Sequence, residues 1–351
     1  LDVIPHSRPT LGGKEAKAVS AVIRSARIAQ GEKVKALEEA FSSFLRVSQA
    51  ACTSSGTSAL YLVLAAMGVG PGHEVIIPSY VCAALLHAVR LAGAAAVPAD
   101  IDPNTYNLDP EDVRRKISKK TRAIIAVHLF GMTADMDALL SLGIPIIEDC
   151  AQAVGGTRDG RLAGTMGRAA VFSFYATKVM TTAEGGMVVS DSRALVEKIK
   201  DLREYDKKKD CTPRFNYKMT DVHAAIGLVQ LRRLEGFIAK RRIIAGFYRR
   251  AFDGTRLGLP PNDPGHIYFR YVLGLNRDAG PVIRALREKG IECARPIYRP
   301  IHDCMGLKGY PESQTAWRRS LSIPIYPTLR RADIDRIIAA VRSLPGARRK
   351  D

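Results

Sequence analysis

Between residues 49 and 150 the chain alternates short β-like runs with helical ones, and this alternation restricts the fold more than any other feature. Glu74 to Ile77, Ala94 to Ala99, Ala123 to Val127 and Ile144 to Ile147 read as strands. Apolar residues at helical spacing predict helices over Ala59 to Met67, over Val81 to Leu91, from Pro110 and from Ala134. Such a series specifies an α/β domain whose mostly parallel central sheet is flanked by helices and buried on both faces. Upstream, Glu15 to Arg27 and Val34 to Phe44 also carry helical spacing. From Arg168 the rhythm changes. Ala169 to Tyr175 and Gly186 to Ser190 both read as strands, and the short gap between them predicts an antiparallel or irregular pairing inserted into the sheet. A long helical region, Thr220 to Phe252, leads to a second unit with a strand over Ile267 to Leu275, a helix over Val282 to Lys289 and a final helix from Ala332 to Arg342. The expected division is a large domain over 1–235 and a smaller α+β C-terminal domain over 236–351.

Composition agrees with two globular domains: 351 residues, 46% hydrophobic and 25% charged. The longest apolar stretch, Ala83 to Ala99, is broken by His87 and Arg90, short of the roughly 18 apolar residues a membrane span needs. Residues 1–10 carry no basic segment followed by an apolar core, so no secretory signal is expected. The cysteines at 52, 82, 150, 211, 293 and 304 form no C-x-x-C pair, and there is no H-E-x-x-H, so no metal site is expected. A reducing, cytoplasmic setting follows as the default expectation. The net charge of +18 is uneven: residues 51–200 balance at 14 basic and 14 acidic, whereas residues 201–351 hold 31 basic and 16 acidic. That excess could attract nucleic acid, an anionic membrane face or a small anionic substrate, or be a solvated surface. The runs Lys207 to Lys209 and Arg348 to Lys350 read most simply as solvated charge.

Three segments could carry chemistry. Lys178 is the one lysine between Lys120 and Lys198, set after the apolar run Val171 to Tyr175 and before Glu184-Gly185-Gly186. In apolar surroundings a lysine has a lowered pKa and can act as the neutral amine that Schiff-base chemistry needs; at the surface it merely snorkels. Ile146-Ile147-Glu148-Asp149 places carboxylates at the end of a buried strand, where open α/β sheets bind ligands; Asp149 there can hold a protonated ring nitrogen or simply cap the next helix. Ser54-Ser55-Gly56-Thr57-Ser58 stands between a strand and a helix, a phosphate-binding arrangement that would equally serve as an N-cap. It matches neither G-x-G-x-x-G nor the P-loop, and Cys52 removes the G-x-S-x-G elbow.

In order along nearly the whole chain, these segments resemble the DegT/DnrJ/StrS-type sugar aminotransferases of the aspartate aminotransferase fold (type I). The resemblance rests on Val127-His128-Leu129-Phe130-Gly131, Glu148-Asp149-Cys150-Ala151-Gln152-Ala153, Phe172-Ser173-Phe174-Tyr175-Ala176-Thr177-Lys178 and Asn216-Tyr217-Lys218-Met219, with Pro5 to Pro9 and Pro324 to Leu329 near the two ends. It implies pyridoxal 5'-phosphate as cofactor, bound as a Schiff base on Lys178, which then moves the proton. Asp149 would pair with the pyridine nitrogen, Gln152 would lie near the phenolic oxygen, and Gly56, Thr57 and Ser173 would bind the phosphate. Asn216 would reach the phosphate of the neighbouring subunit, implying a homodimer with shared active sites. Cys82 stands where the family often has an aromatic residue stacked on the ring, so it would face the cofactor, or Tyr80 would substitute from nearby; Val179-Met180 replaces the commoner Asn-Leu after the lysine. His128 could touch cofactor or substrate, or be a hydrogen-bonded core histidine. Tyr298 and His302 resemble a segment near the substrate entrance.

The activity so implied is transfer of an amino group from glutamate or glutamine to a keto-sugar, expected to be nucleotide-linked. A sugar 3-dehydratase on the same scaffold is an alternative, though that branch would carry His in place of Lys178. A nucleic-acid-binding regulatory protein using the basic C-terminal part is another, but helix-turn-helix and zinc-finger spacings are missing. Neither specific nucleic acid nor membrane is an expected partner.

Overall fold

The computed structural model describes residues 2–344; the basic run Arg348 to Lys350 lies outside them. Two helices, α1 (Gly13–Arg24) and α2 (Glu32–Leu45), precede the sheet. Strands β1 (Gln49–Thr53), β2 (Glu74–Pro78), β3 (Ala95–Ala99), β4 (Thr121–Val127) and β5 (Ile146–Asp149) then alternate with helices α3 (Gly56–Ala66), α4 (Ala84–Leu91), α5 (Pro110–Lys116) and α6 (Met136–Leu140). A short hairpin, β6 (Thr157–Arg158) and β7 (Arg161–Leu162), leads into β8 (Ala169–Ser173) and β9 (Gly186–Ser190). The seven-stranded sheet has the order β1-β9-β8-β5-β4-β2-β3. Only β9 runs against the rest, pairing antiparallel with both β1 and β8. The inner strands are apolar on both faces, as Ile124 to Val127 and Val171 to Phe172 show, because helices cover each side.

The remaining elements are α7 (Arg193–Leu202), α8 (Asp221–Phe252), β10 (Tyr271–Gly274), α9 (Ala279–Glu288), α10 (Ile301–Met305), α11 (Pro311–Arg319), β11 (Ser320–Ile323) and α12 (Arg331–Arg342). Helix α8 serves two cores. Its first half sends Leu234, Phe237 and Ile238 into the core beneath the sheet, with Phe41 and Phe172. Its second half sends Ile244, Tyr248 and Phe252 into a separate core built on the antiparallel pair β10–β11, α9 and α12. The boundary read near residue 235 therefore falls inside a continuous helix, where packing passes from one core to the other. Ile4 joins the second core and bridges Ile291, so the first residues pack with the smaller unit although the sequence put them in the larger. No helix of the described residues is long and apolar enough to cross a membrane.

Two elements differ from their sequence reading in ways that shape the site. The helix expected from Val81 starts at Ala84, which leaves Ser79 to Ala83 as an irregular wall beyond β2. The strand expected from Ile267 starts at Tyr271. Before it, residues 266–269 wrap the turn at Phe130-Gly131, where Ile267 N–H donates to the Gly131 carbonyl at 3.1 Å.

Candidate active site

The parallel strands β1, β5 and β8 end on one side of the sheet, and the N-terminus of β9 returns to that side. Gly186 stands in register between Thr53 and Ser173. The close approach of the Ser55 carbonyl and the Thr53 hydroxyl leaves no room for a Cβ at Gly186. Helix α3 begins over this row. Ser55 caps it by accepting the Ser58 N–H at 3.1 Å, while the Ser58 hydroxyl accepts the Ser55 N–H at 3.0 Å. Among the described residues, the Gly56 and Thr57 N–H groups have no acceptor and face a cavity of about 230 Å³ beside the Ser173 hydroxyl. At Gly56 a Cβ would come within 2.8 Å of Ser173 Cβ, so glycine is what lets the helix start approach the strand end. These unpaired donors at a helix N-terminus suit a phosphate.

Lys178 lies on the loop from β8 to β9, which is pinned at its base by Phe174 N–H to the Gly185 carbonyl (2.8 Å) and Thr182 N–H to the Phe174 carbonyl (2.9 Å). Both ends of the loop stay at the cavity because β9 is reversed. Asp149, the last residue of β5, lines the same cavity and accepts the Ala151 N–H at 2.9 Å. Part of Lys178 opens onto the cavity, yet burial remains the largest influence on its amine and lowers its pKa; the charges of Cys82 and Asp149 oppose that shift and Arg270 adds to it. Burial likewise raises the Asp149 carboxyl, against the Ala151 hydrogen bond and the Lys178 charge. The amine is thereby made easier to deprotonate and more nucleophilic, and the acid is ready to regain its charge beside a new cation. Gln152 holds its amide oxygen on the Phe130 N–H at 2.9 Å, and among the described residues its amide nitrogen has no acceptor. Phe130 adopts φ +58°, a conformation costly for a bulky residue, while making that bond. A donor helix start, an amine and an acid in one cavity match the phosphate, carbonyl and ring nitrogen of pyridoxal phosphate.

The other expected residues fall differently. Cys82, which is exposed in this chain, lines the cavity with Lys178 and Asp149. Tyr80 cannot take the ring-facing place, because it is wholly buried against Tyr106 and Phe130. His128 is a core histidine with 0% exposure: Nε2 meets Glu148 Oε2 at 2.9 Å, and Nδ1 accepts the Ala134 N–H at 3.1 Å. Accepting on Nδ1 makes it the neutral tautomer that donates through Nε2. Burial pushes the Glu148 carboxyl up, but the His128 bond and the N–H groups of Gly164 and Gly167 outweigh it and hold it below the usual range. His128, Glu148 and Cys150 cluster closely enough to suggest a metal, yet both His128 nitrogens and both Glu148 oxygens already have protein partners.

His302 does not line the Lys178 cavity either. It is buried between Ser79 Oγ (2.6 Å from Nδ1) and Gln314 Oε1 (2.9 Å from Nε2), tying the wall beyond β2 to the smaller unit. Tyr298 is 94% exposed and is not among the residues that line the cavity. Asn216 is exposed and likewise absent from this chain's own cavity. It lies between Phe215 and Tyr217, whose rings stack 5.0 Å apart, while the Tyr217 carbonyl accepts the Ser54 N–H next to the phosphate cradle. Three residues were not among the expected site residues: Tyr175, Glu184 and Phe269. Tyr175 and Glu184 line the cavity because the pinned loop folds over it. Phe269 lies 5.4 Å from Lys178 Nζ, ring centroid to nitrogen. Apolar patterning marked Phe269 only as part of a strand, and nothing in its spacing signalled the site.

Comparison with known proteins agrees with this geometry. The model of the DegT/DnrJ/EryC1/StrS aminotransferase family matches residues 9–342. Similar relatives include the spore coat polysaccharide biosynthesis protein SpsC of Bacillus subtilis (34% identical, covering 97% of each chain). Another is the GDP-perosamine synthase of Caulobacter vibrioides (35% identical, covering 97% of this chain and 98% of the relative). Among solved structures, Spr1654 from Streptococcus pneumoniae in its PMP form superposes with a TM-score of 0.92 at 28% identity over 96% of each chain, and a PLP form is also known. DesV of S. venezuelae, solved with a ketimine intermediate, gives a TM-score of 0.90 at 32% identity over 96% of this chain and 95% of its own.

Proposed function

The chain belongs to the DegT/DnrJ/EryC1/StrS aminotransferase family and is a pyridoxal phosphate-dependent transaminase, and from that premise we propose that it aminates a nucleotide-linked keto-sugar with glutamate or glutamine as donor. The observation that carries the reading is the joint lining of one cavity by Lys178, Asp149 and the unpaired N–H groups of Gly56 and Thr57. Pyridoxal phosphate, when bound, supplies a carbonyl that condenses with amines and a ring that withdraws electrons from the neighbouring carbon. Gly56, Thr57 and Ser173 anchor the phosphate. Asp149 holds the proton on the ring nitrogen, and Gln152 donates its free amide N–H to the phenolic oxygen. Lys178 Nζ binds the cofactor at rest and, once displaced by a substrate amine, takes a proton from one carbon and returns it to the other. Cys82 faces the ring as a small side chain. Asn216, which is exposed and does not line its own chain's cavity, completes the phosphate site of a second copy in a homodimer.

The GDP-perosamine synthase relative supports a nucleotide-linked substrate. The lysine supports amino transfer over dehydration, since the dehydratase branch would carry His at this position. The purified holoenzyme should absorb visibly and consume L-glutamate or L-glutamine when given nucleotide-linked keto-sugars. Lys178→Ala should lose both the band and at least about 10³-fold of turnover. A wild-type protein that stays colourless with added cofactor, or a Lys178→Ala variant with full turnover, would refute the assignment.

A further inference from the structure

Among the described residues, a single hydrogen bond ties the loop that carries Lys178 to an element other than β8 and β9. Thr181 N–H donates to Gln230 Oε1, on α8, at 3.3 Å. Inside the loop, Thr181 Oγ1 donates to the Phe174 carbonyl at 3.1 Å and accepts the Ala183 N–H at 2.9 Å, while the Thr182 hydroxyl donates to the Glu184 carbonyl. These bonds hold Ala183 at φ +72°, in the left-handed region where a Cβ is unfavourable. Gln230 is buried, and its amide cannot turn over. The nitrogen faces two groups that only accept, Glu15 Oε1 at 2.8 Å and the Thr10 carbonyl at 3.0 Å, which leaves the oxygen for Thr181. Glu15, buried on α1, is fixed in turn: it accepts the Gly12 N–H at 2.9 Å and pairs with Arg233 of α8. Gly227 brings α8 this close to the loop, since a Cβ there would fall 3.0 Å from the Thr182 methyl and 2.8 Å from Leu37 Cδ2. Three residues apart, Gly227 and Gln230 share that face of the helix.

We propose that Gln230, with its amide oriented by Glu15, is the positioning residue that holds the Lys178 loop across the cavity. The inference rests on the transaminase reading above and concerns the same lysine. Thr181 follows Lys178 by three residues, so the point at which Thr181 is held sets the path of the chain on leaving the lysine. The amine serves two carbons in turn, and a misplacement of about 1 Å can cost on the order of 100-fold in rate. Gln230 does not line the cavity and acts through Thr181 rather than on a reacting atom. The turn at Ala183 makes the anchor necessary: freed from α8, the loop relieves the strain there by shifting, and Lys178 shifts with it. An apolar side chain at 230 would also leave the buried Thr181 N–H without an acceptor, a second push away from α8.

Hydrogen exchange in the cofactor-free protein reads the anchor without turnover. In Gln230→Met, which keeps the length and removes the acceptor, exchange of the Thr181, Thr182 and Ala183 amides should rise at least about tenfold, while the amides of β4 and β5 change by less than about twofold. In the holoenzyme, turnover should fall about 10- to 100-fold with KM for the nucleotide-linked keto-sugar within about twofold. The pH at which the visible band titrates should move by at least about half a unit, because the lysine nitrogen changes its spacing from charged neighbours. Adding Ala183→Gly to Gln230→Met removes the strain and should restore part of the turnover and of the band. Glu15→Gln, which lets the Gln230 amide turn over, should raise exchange of the same three amides by a smaller factor. Unchanged loop exchange in Gln230→Met overturns the proposal. So does exchange that rises equally across the sheet with an unmoved band, which marks a structural role, or a double variant with no recovery. Should Gln230→Met fail to fold, Glu15→Gln carries the test, and wild-type exchange at Thr181 there overturns the proposal as well. A wild-type protein that forms no visible band refutes the transaminase reading instead, and the cofactor-free exchange result stands apart from it.

Discussion

Gly56 tolerates no side chain, since an alanine Cβ would fall 2.8 Å from Ser173 Cβ and 3.3 Å from its hydroxyl. Gly56→Ala should therefore push the start of α3 off β8 and weaken cofactor binding roughly tenfold to a hundredfold, an overpacking cost of about 1–3 kcal/mol. Titrating cofactor-free protein with pyridoxal phosphate measures this, and wild-type affinity in the variant would mean the cradle is not the phosphate site. At this scale the sequence spoke unevenly. Asp149 and Gly56 were legible because they sit at a strand end and a helix start, where chain direction alone brings side chains together, and Lys178 because it is the one lysine between Lys120 and Lys198 and follows an apolar strand. His128 and His302 were not, since spacing does not reveal whether both ring nitrogens already have partners. Phe269 was hidden because a contact between residues 178 and 269 depends on how two units pack.

Helix α2 follows an N-cap glycine, Gly31, which offers no side-chain cap. Its free N–H groups are met instead by a remote carboxylate: Asp221, at the start of α8, accepts from Gly31 (2.9 Å), Lys33 (3.1 Å) and Val34 (3.0 Å). One acid thus closes α2 while adding negative charge at the N-terminus of α8. Asp221→Ala should destabilise the protein by about 1–3 kcal/mol, read as a lower midpoint in urea, because one buried and two half-buried donors lose their acceptor at once. A midpoint unchanged within error would show that water replaces the carboxylate without loss. Such remote caps explain why element boundaries were the least legible feature. The apolar periodicity of α4 or β10 extends past the residues whose backbone bonds continue the element. The reversed strand β9, by contrast, was expected from the short gap after β8, which is too brief for a crossover.

For the whole molecule, the excess of basic residues in 201–351 and the near neutrality of 51–200 separate two tasks. The neutral stretch supplies Gly56, Asp149 and Lys178, and the basic one can draw a sugar diphosphate toward them over long range. If so, KM for the nucleotide-sugar should rise several-fold as ionic strength goes from about 0.01 M to about 0.5 M, since the Debye length shrinks from ~30 Å to a few ångströms. An insensitive KM would reduce the charge to a solvated surface. Fold class was legible from the alternation of strands and helices, whereas the packing of Ile4 with the core around β10 and β11 was not, because its bridge to Ile291 joins residues far apart in the chain. The continuity of α8 across both cores has a thermodynamic consequence. A rod of about 48 Å whose two halves pack in different cores leaves neither core complete without it. Melting one core strips an apolar face from the helix that the other needs, so heat should take the two apart as a single cooperative unit.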